Sequence, residues 1–202
     1  DILALSVCGD FGAATVRIRG EVPPRLKPTL TSGCGAGITF NLPLSFPRGD
    51  GATAGKGRFF SPDNVFSTMN ELSRLAQRYK DHGGIHSAAV GDGRSVILHA
   101  EDIGRHNTLD RIAGEALLKN IDLSGKILVT SGRISSEMVA KAAVLGIAVI
   151  ASRTSPTDLA VKMAEELGIV IIGYARGGRF SLYTLPERIA VPGKPQSRKD
   201  RA

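Results

Sequence analysis

From Lys126 onward the apolar residues come in short dense runs separated by polar stretches punctuated with glycine. Lys126–Ser131, Ile147–Ser152 and Ile169–Ala175 are nearly continuous in Val, Ile, Leu and Ala, the pattern of strands buried on both faces. Between them, Ser135–Leu145 predicts a helix closed by Gly146. Ser155-Pro156-Thr157-Asp158 predicts another, with Ser155 as its cap, Pro156 in the first position and Asp158 three residues after the cap; Gly168 closes it. Strand, helix, strand, helix, strand predicts parallel strands sandwiched by helices. Gly177-Gly178 then predicts a turn into a further strand over Phe180–Thr184.

The first half is patterned differently. Asp1–Val7 and Ala13–Arg19 read as strands, Pro23, Pro24 and Pro28 break the chain after them, and Thr31–Gly37 is a glycine loop containing Cys34. A second loop, Pro47–Gly57, is rich in Gly, Pro and Ala. Ser61-Pro62 opens a helix with Val65, Met69, Leu72, Leu75 or Ala76, and Tyr79 on one face, ending at Gly83-Gly84. Ile85–Val90 and Ser95–Ala100 flank Gly91-Asp92-Gly93 as a hairpin. The helix after Gly104 turns Leu109, Ile112, Ala113, Ala116 and Leu117 inward. We expect a β-rich segment over 1–60, an α/β domain over 61–190 and a basic tail over 191–202. Residue 1 is Asp in an opening strand, so an N-terminus lying upstream is expected; no signal-peptide pattern stands there.

Composition narrows the partners. The 202 residues are 42% apolar and 22% charged, enough apolar content for a packed core and too little charge for wholesale disorder. No apolar run approaches a membrane span, so a soluble, cytoplasmic protein with no membrane partner is expected. Lys and Arg number 26 against 19 Asp and Glu, which favours anionic partners. With no Trp, seven Phe and three Tyr, a stacking platform for single-stranded nucleic acid is poorly supplied, and no nucleic-acid motif is present. Two cysteines make no disulfide framework, which points to a reducing compartment.

Ligands of open α/β sheets bind beyond the carboxyl ends of the strands. Those ends read Thr130-Ser131-Gly132-Arg133, Ala151-Ser152-Arg153-Thr154 and Gly173-Tyr174-Ala175-Arg176. Each supplies an Arg, and two supply a Ser near a helix start, where free N–H groups favour anions. A single such Arg is usually a solvated loop charge; three in register predict a shared anion site. Glu101–Asp110 is a second polar cluster at a helix start. Asp102 could accept two donors from a guanine edge, and Arg105, His106 and Asn107 could hold phosphate or ribose. The bland alternative is an elaborate helix cap. His86 fits a hydrogen-bonded core residue as well as a functional one. No His or Cys spacing suits a zinc site, so no metal is expected. Cys8 ends an apolar stretch and reads as a buried hydrophobe, whereas Cys34 lies between Gly33 and Gly35 with little steric cover. It fits a reactive thiol and an idle loop cysteine equally.

The order of Thr31-Ser32-Gly33-Cys34-Gly35, Gly83–Ala89, Glu101–Asp110, Thr130–Val139, Ser152–Thr157 and Tyr174–Arg179 resembles the formate dehydrogenase accessory sulfurtransferase (FdhD) family over about residues 29 to 190, with residues 1–28 matching loosely and the family's N-terminal part missing. The resemblance implies a cytidine-deaminase-like three-layer α/β sandwich with a mixed sheet, without the deaminase zinc ligands. It implies a sulfurtransferase that carries a persulfide on Cys34 from a cysteine desulfurase to the molybdenum (or tungsten) bis-molybdopterin guanine dinucleotide cofactor of formate dehydrogenase, and a homodimer. Tyr174, Ala175, Arg176, Gly177, Gly178 and Arg179 would then form part of the cofactor surface, with Asp102, Arg105, His106 and Asn107 serving the guanine dinucleotide. Ser131, Arg133, Ser152 and Arg153 complete the expected site, and GDP is the expected analogue. The family usually shows Cys-Gly-x-Cys; here Cys34-Gly35-Ala36-Gly37 lacks the second sulfur, so no relay between two motif cysteines exists. The rival reading is a non-catalytic guanine-nucleotide or cofactor-binding chaperone in which Cys34 is incidental.

Overall fold

The computed structural model describes residues 2–10, 12–21, 28–30, 38–40 and 60–190; the Cys34 loop, the Pro47–Gly57 loop and the basic tail lie outside the described residues. The chain divides into two compact units, Asp1–Ser32 with Gly37–Leu42, and Gly33–Ala36 with Pro43–Ala202. In the first, β1 (Ile2–Cys8) pairs antiparallel with β2 (Ala13–Ile18), with Leu5 opposite Val16 and Val7 opposite Ala14. Cys8, expected to be buried, is exposed. A second antiparallel pair joins β3 (Pro28–Leu30) to β4 (Ile38–Phe40). Pro28 was expected to break the chain; it opens β3 instead, a strand position where the missing N–H is tolerated.

The second unit is a six-stranded mixed sheet between helices. Its elements are α1 (Pro62–Leu75), α2 (Gln77–His82), β5 (His86–Gly91), β6 (Val96–Asp102), α3 (Arg105–Leu118), β7 (Ile127–Thr130), α4 (Ser136–Val144), β8 (Val149–Ser152), α5 (Asp158–Leu167), β9 (Val170–Arg176), β10 (Arg179–Leu182) and a 3-10 turn at Pro186–Arg188. The strand order is β10-β9-β8-β7-β5-β6. Strands β7, β8 and β9 run parallel, and β5, β6 and β10 join antiparallel.

Side-chain alternation divides the buried residues between two faces. Ala88, Val90, Leu128, Ile150 and Ile171 pack with Leu109 and Ile112 of α3, Met138 and Val139 of α4, and Ala160 and Ala164 of α5. Ala89, Ile127, Val129, Val149, Ala151, Val170 and Ile172 pack with Val65, Met69 and Leu72 of α1, and with Phe60 and Ile189. Two buried faces explain why these strands read as unbroken apolar runs. Among the described residues, no helix is long and apolar enough to cross a membrane.

Three expectations change. The helix after Ser61 is two helices, broken at Ala76, because the Glu101 carboxylate accepts the Arg78 and Tyr79 N–H groups at 3.2 and 3.0 Å and so caps a new helix start. The cap of α5 is Thr157, whose side chain accepts from Ala160 N–H at 3.3 Å; Ser155 gives its carbonyl to Ile134 N–H and Pro156 bridges Ile134. Leu117, expected inward, is exposed.

Ile171 is fully buried in the face that carries α3, α4 and α5, whereas Leu159 is 63% exposed. In urea unfolding, Ile171→Ala is expected to lose about 2–5 kcal/mol by lost transfer energy and a residual cavity. Leu159→Ala is expected to stay within about 0.5 kcal/mol of the parent.

Candidate functional site

Because β7, β8 and β9 are parallel, their carboxyl ends meet at one edge of the sheet, and β5, antiparallel to β7, brings its first residue, His86, to the same edge. A cleft of about 630 Å³ opens there, lined by Tyr79, Gly84, Ile85, His86, Ser131, Arg153, Thr154 and Arg176. Among the described residues, no carboxylate lines it. Arg153 enters from the end of β8, its main-chain N–H bonded to the Thr130 carbonyl at 3.3 Å and one guanidinium nitrogen donating to Ser73 Oγ of α1. Arg176 ends β9. Among the described residues, neither forms an ion pair with Asp or Glu. Two guanidinium groups at the strand ends suit an anion with paired oxygens, such as a phosphate.

The cleft floor depends on close backbone approach. A Cβ on Gly132 would stand 2.8 Å from Arg105 Cβ and 3.2 Å from His86 Nδ1, so only glycine admits both side chains. The Gly132 carbonyl accepts from Ser152 Oγ at 2.7 Å, and Ser152 Oγ accepts the Thr154 N–H at 3.0 Å. Ser152 is therefore buried and committed to holding neighbouring loops rather than facing the cleft. Ser131 does face it: its hydroxyl accepts the Ser87 N–H at 3.0 Å and lies 3.4 Å from His86 Nδ1. Burial and then the charge of Arg105 push the His86 imidazole below its ordinary value. Arg105 Nε is buried without a hydrogen-bond partner among the described residues, and Arg105 stands beside the cleft rather than lining it.

The start of α3 is mostly occupied by its own contacts. Asp102 accepts the Gly104 N–H at 3.0 Å and Asn107 Nδ2 at 2.9 Å, and Arg111 lies 3.7 Å away. Its burial acts to raise the carboxyl, but these donors outweigh it and hold Asp102 below the usual carboxylate range. His106 Nε2 meets Ser135 Oγ at 2.9 Å and Nδ1 faces Glu137 at 3.4 Å, clamping α3 to α4. Burial lowers the His106 imidazole, against Glu137, which raises it. Ser135 Oγ also accepts the Met138 N–H that starts α4.

Of the expected residues, Ser131, Arg153 and Arg176 share the cleft, with Arg105 beside its floor. Arg133 is exposed and does not line it. Ala175 is buried in the α1-side core, Tyr174 and Arg179 are exposed, and Gly177 and Gly178 form the tight β9–β10 turn at φ 59° and 71°. Cys34 lies outside the described residues. Among the described residues, no three His, Cys, Asp or Glu side chains group to hold a metal.

Tyr79, Gly84, Ile85, His86 and Thr154 were not among the expected site residues. Gly83-Gly84 read as a helix stop and as the start of a family motif, with His86 fitting a core or a functional residue alike; the antiparallel return of β5, which carries His86 to this edge, is a matter of strand order.

A family model, the FdhD/NarQ family, matches residues 1–190, reaching beyond the stretch carried by the motifs alone. The sulfur carrier protein FdhD of Bacillus subtilis is 40% identical over 157 residues, covering 69% of this chain and 60% of that protein. The same-named protein of Staphylococcus aureus is 43% identical over 129 residues, covering 64% of this chain and 49% of that protein. A crystal structure of a protein assigned as a formate dehydrogenase accessory protein from Desulfotalea psychrophila superposes with a TM-score of 0.62 at 30% identity, covering 65% of this chain and 57% of that one. The chain thus spans about half to three-fifths of the length of these relatives.

The Asp102 carboxyl is depressed in the folded state, so its stabilisation is present above the unfolded carboxyl pKa and is lost as pH falls through the folded value. Asp102→Asn keeps an acceptor for the Gly104 N–H but loses the charge that favours Asn107 and Arg111, so it is expected to cost up to about 1 kcal/mol near neutrality. Urea midpoints followed downward in pH should show that gap narrowing below about pH 4.

Proposed function

The chain belongs to the FdhD/NarQ family, and we propose that it is a sulfurtransferase of formate dehydrogenase maturation that works through Cys34 and the arginine-lined cleft. The relatives named as sulfur carrier proteins and the matching accessory-protein structure support the sulfur-carrying half of this reading. The observation that carries the other half is the carboxylate-free cleft with Arg153 and Arg176 unpaired by acid among the described residues.

The first transfer balances without an external oxidant or reductant. The Cys34 thiolate attacks the outer sulfur of a persulfide on a cysteine desulfurase. The sulfur–sulfur bond there breaks, the desulfurase thiolate leaves, and Cys34 holds the persulfide. The substrate of the second step is the bis-molybdopterin guanine dinucleotide cofactor, whose diphosphate groups suit Arg153 and Arg176, with Ser131 and Arg105 adjoining. The cleft contributes by orienting this substrate and compensating its charge. With Gly37 where the family usually has a second cysteine, Cys34 carries the sulfur alone. The partners in this reading are the desulfurase, formate dehydrogenase and a second copy of the chain.

Two measurements test it. Mass spectrometry after incubation with a desulfurase and cysteine is expected to place one added sulfur on Cys34 and none on Cys8. If Cys34→Ser still restored formate dehydrogenase activity, the chaperone reading would replace this one. By calorimetry, Arg153→Ala and Arg176→Ala should each weaken GDP binding by about 1.5–3 kcal/mol, the scale of a hydrogen bond to a charged group. Arg133→Ala, outside the cleft, should change it little. Equal losses at all three arginines would place the anion elsewhere.

A further inference from the structure

Among the described residues, His86 is the one imidazole in the cleft lining, and its surroundings give it two hydrogen-bonding states. Ser131 Oγ has two acceptor positions and a single proton. One acceptor position is taken by the Ser87 N–H at 3.0 Å. While His86 is neutral with its hydrogen on Nε2, the Ser131 hydroxyl donates its proton to Nδ1, 3.4 Å away. When Nδ1 is protonated the bond reverses: Nδ1–H donates to the second acceptor position of Ser131 Oγ, and the intact hydroxyl O–H turns toward the cleft. One added proton therefore supplies a positive charge and a new donor together.

The charged groups around His86 set when that happens. Arg105 from α3 flanks the same Gly132 backbone as His86 Nδ1. Arg153, Arg176 and Tyr79 also line the cleft. Asp102 stands opposite His86 across the β5–β6 ladder, but its carboxylate is taken by Gly104, Asn107 and Arg111. Around His86 cations outweigh anions, and burial further disfavours charge on the imidazole. A bound group carrying two negative charges offsets that excess, and a singly charged one offsets less of it.

We infer that His86 makes the cleft a proton-coupled receptor for a terminal, dianionic phosphate: binding such a group draws a proton onto the imidazole, and binding a phosphodiester, with one charge per phosphate, draws less. The inference rests on the anion-binding reading of the cleft and adds its selectivity. The cofactor proposed above carries its diphosphate esterified at both ends, so it binds with little proton uptake, whereas a nucleoside diphosphate with a free end takes up more and competes better as pH falls.

Calorimetry in two buffers of different ionisation enthalpy counts the protons taken up, with GDP as the free-ended probe and GDP-mannose as the doubly esterified one. Near pH 7.5 a terminal phosphate is already dianionic, its second pKa being about 6, so uptake is assigned to the protein. For the wild-type chain we expect uptake of a large fraction of a proton with GDP, and an affinity falling by up to about tenfold per pH unit where the coupling is complete. Uptake with GDP-mannose should be smaller, and His86→Gln should abolish uptake and flatten the pH dependence. The His86 ring resonance, followed by NMR in the wild-type chain with and without GDP, reads the same protonation with no substitution. GDP binding without proton uptake, or equal uptake by His86→Gln, would overturn this inference and leave the anion cleft standing. Failure of GDP to bind the wild-type chain would overturn both.

Discussion

At Gly132 three segments of chain meet in a space that admits no side chain. The Arg105 and His86 side chains pass where a Cβ would be, Ser152 holds the Gly132 carbonyl, and Thr130 Oγ1 accepts the Gly132 N–H at 3.2 Å. This contact joins the end of β7 to the start of α3, the start of β5 and the loop after β8. Each joined segment supplies something to the cleft: Ser131, the Arg105 flank, His86 and Arg153. A methyl group here would have to displace backbone or an Arg stem packed in the interior, and close-packed interiors do not absorb that locally. The polar end of the sheet is thus positioned by backbone proximity, and the charged side chains are free of acidic partners because other groups hold the frame.

The layered fold was legible because two buried faces leave a strong mark. Ile127–Thr130, Val149–Ser152 and Val170–Ile172 alternate between two cores, so every residue is apolar or small, and no amphipathic helix of that length would read that way. The break at Ala76 was not legible. Val65, Met69, Leu72 and Tyr79 keep one helical spacing across it, and the cause, Glu101, is distant in sequence and pairs with two backbone N–H groups. Ser155 and Thr157 competed similarly for the α5 cap. Local chemistry favoured Ser155-Pro156, and a bridge to Ile134 decided for Thr157.

The site divides along the same line. Arg153 and Arg176 come directly from strand ends, since the parallel order of β7, β8 and β9 places them without further information. Arg133 obeys the same rule in sequence and fails to line the cleft, because Gly132 and Ile134 on either side of it are buried and turn it outward. His86 needed the opposite knowledge, that β5 returns antiparallel beside β7. The polar run Asp102–Asn107 advertises itself strongly, yet most of its hydrogen-bonding capacity goes to starting α3 and clamping it to α4. Density of polar residues is a weak guide to a site; cationic side chains left without acidic partners among the described residues, as at Arg153 and Arg176, are a better one.

At the end of β9, local strain aims one of the cleft's guanidinium groups. Arg179 of β10 pairs with Arg176 and Ser181 with Gly173, so β9 carries one residue more than β10 between the two pairs. The extra residue falls at Tyr174–Ala175, and Tyr174 takes φ 53°, the left-handed conformation that glycine adopts freely and an aromatic residue does not. Such a conformation costs on the order of 1–3 kcal/mol. The neighbours hold it in place: the Tyr174 N–H donates to the Thr154 carbonyl at 3.1 Å, and Gly173 lies so close to Tyr183, Pro156 and that carbonyl that a Cβ would meet Tyr183 Cε2 at 2.8 Å. The bulge buries Ala175 and leaves Tyr174 and Arg176 outward, on the side where Thr154 and Arg153 emerge from β8. A regular ladder would have removed the strain and rotated the strand end by a residue, exchanging the buried alanine with the guanidinium. The strain in Tyr174 therefore holds Arg176 at the cleft rather than in the sheet's core.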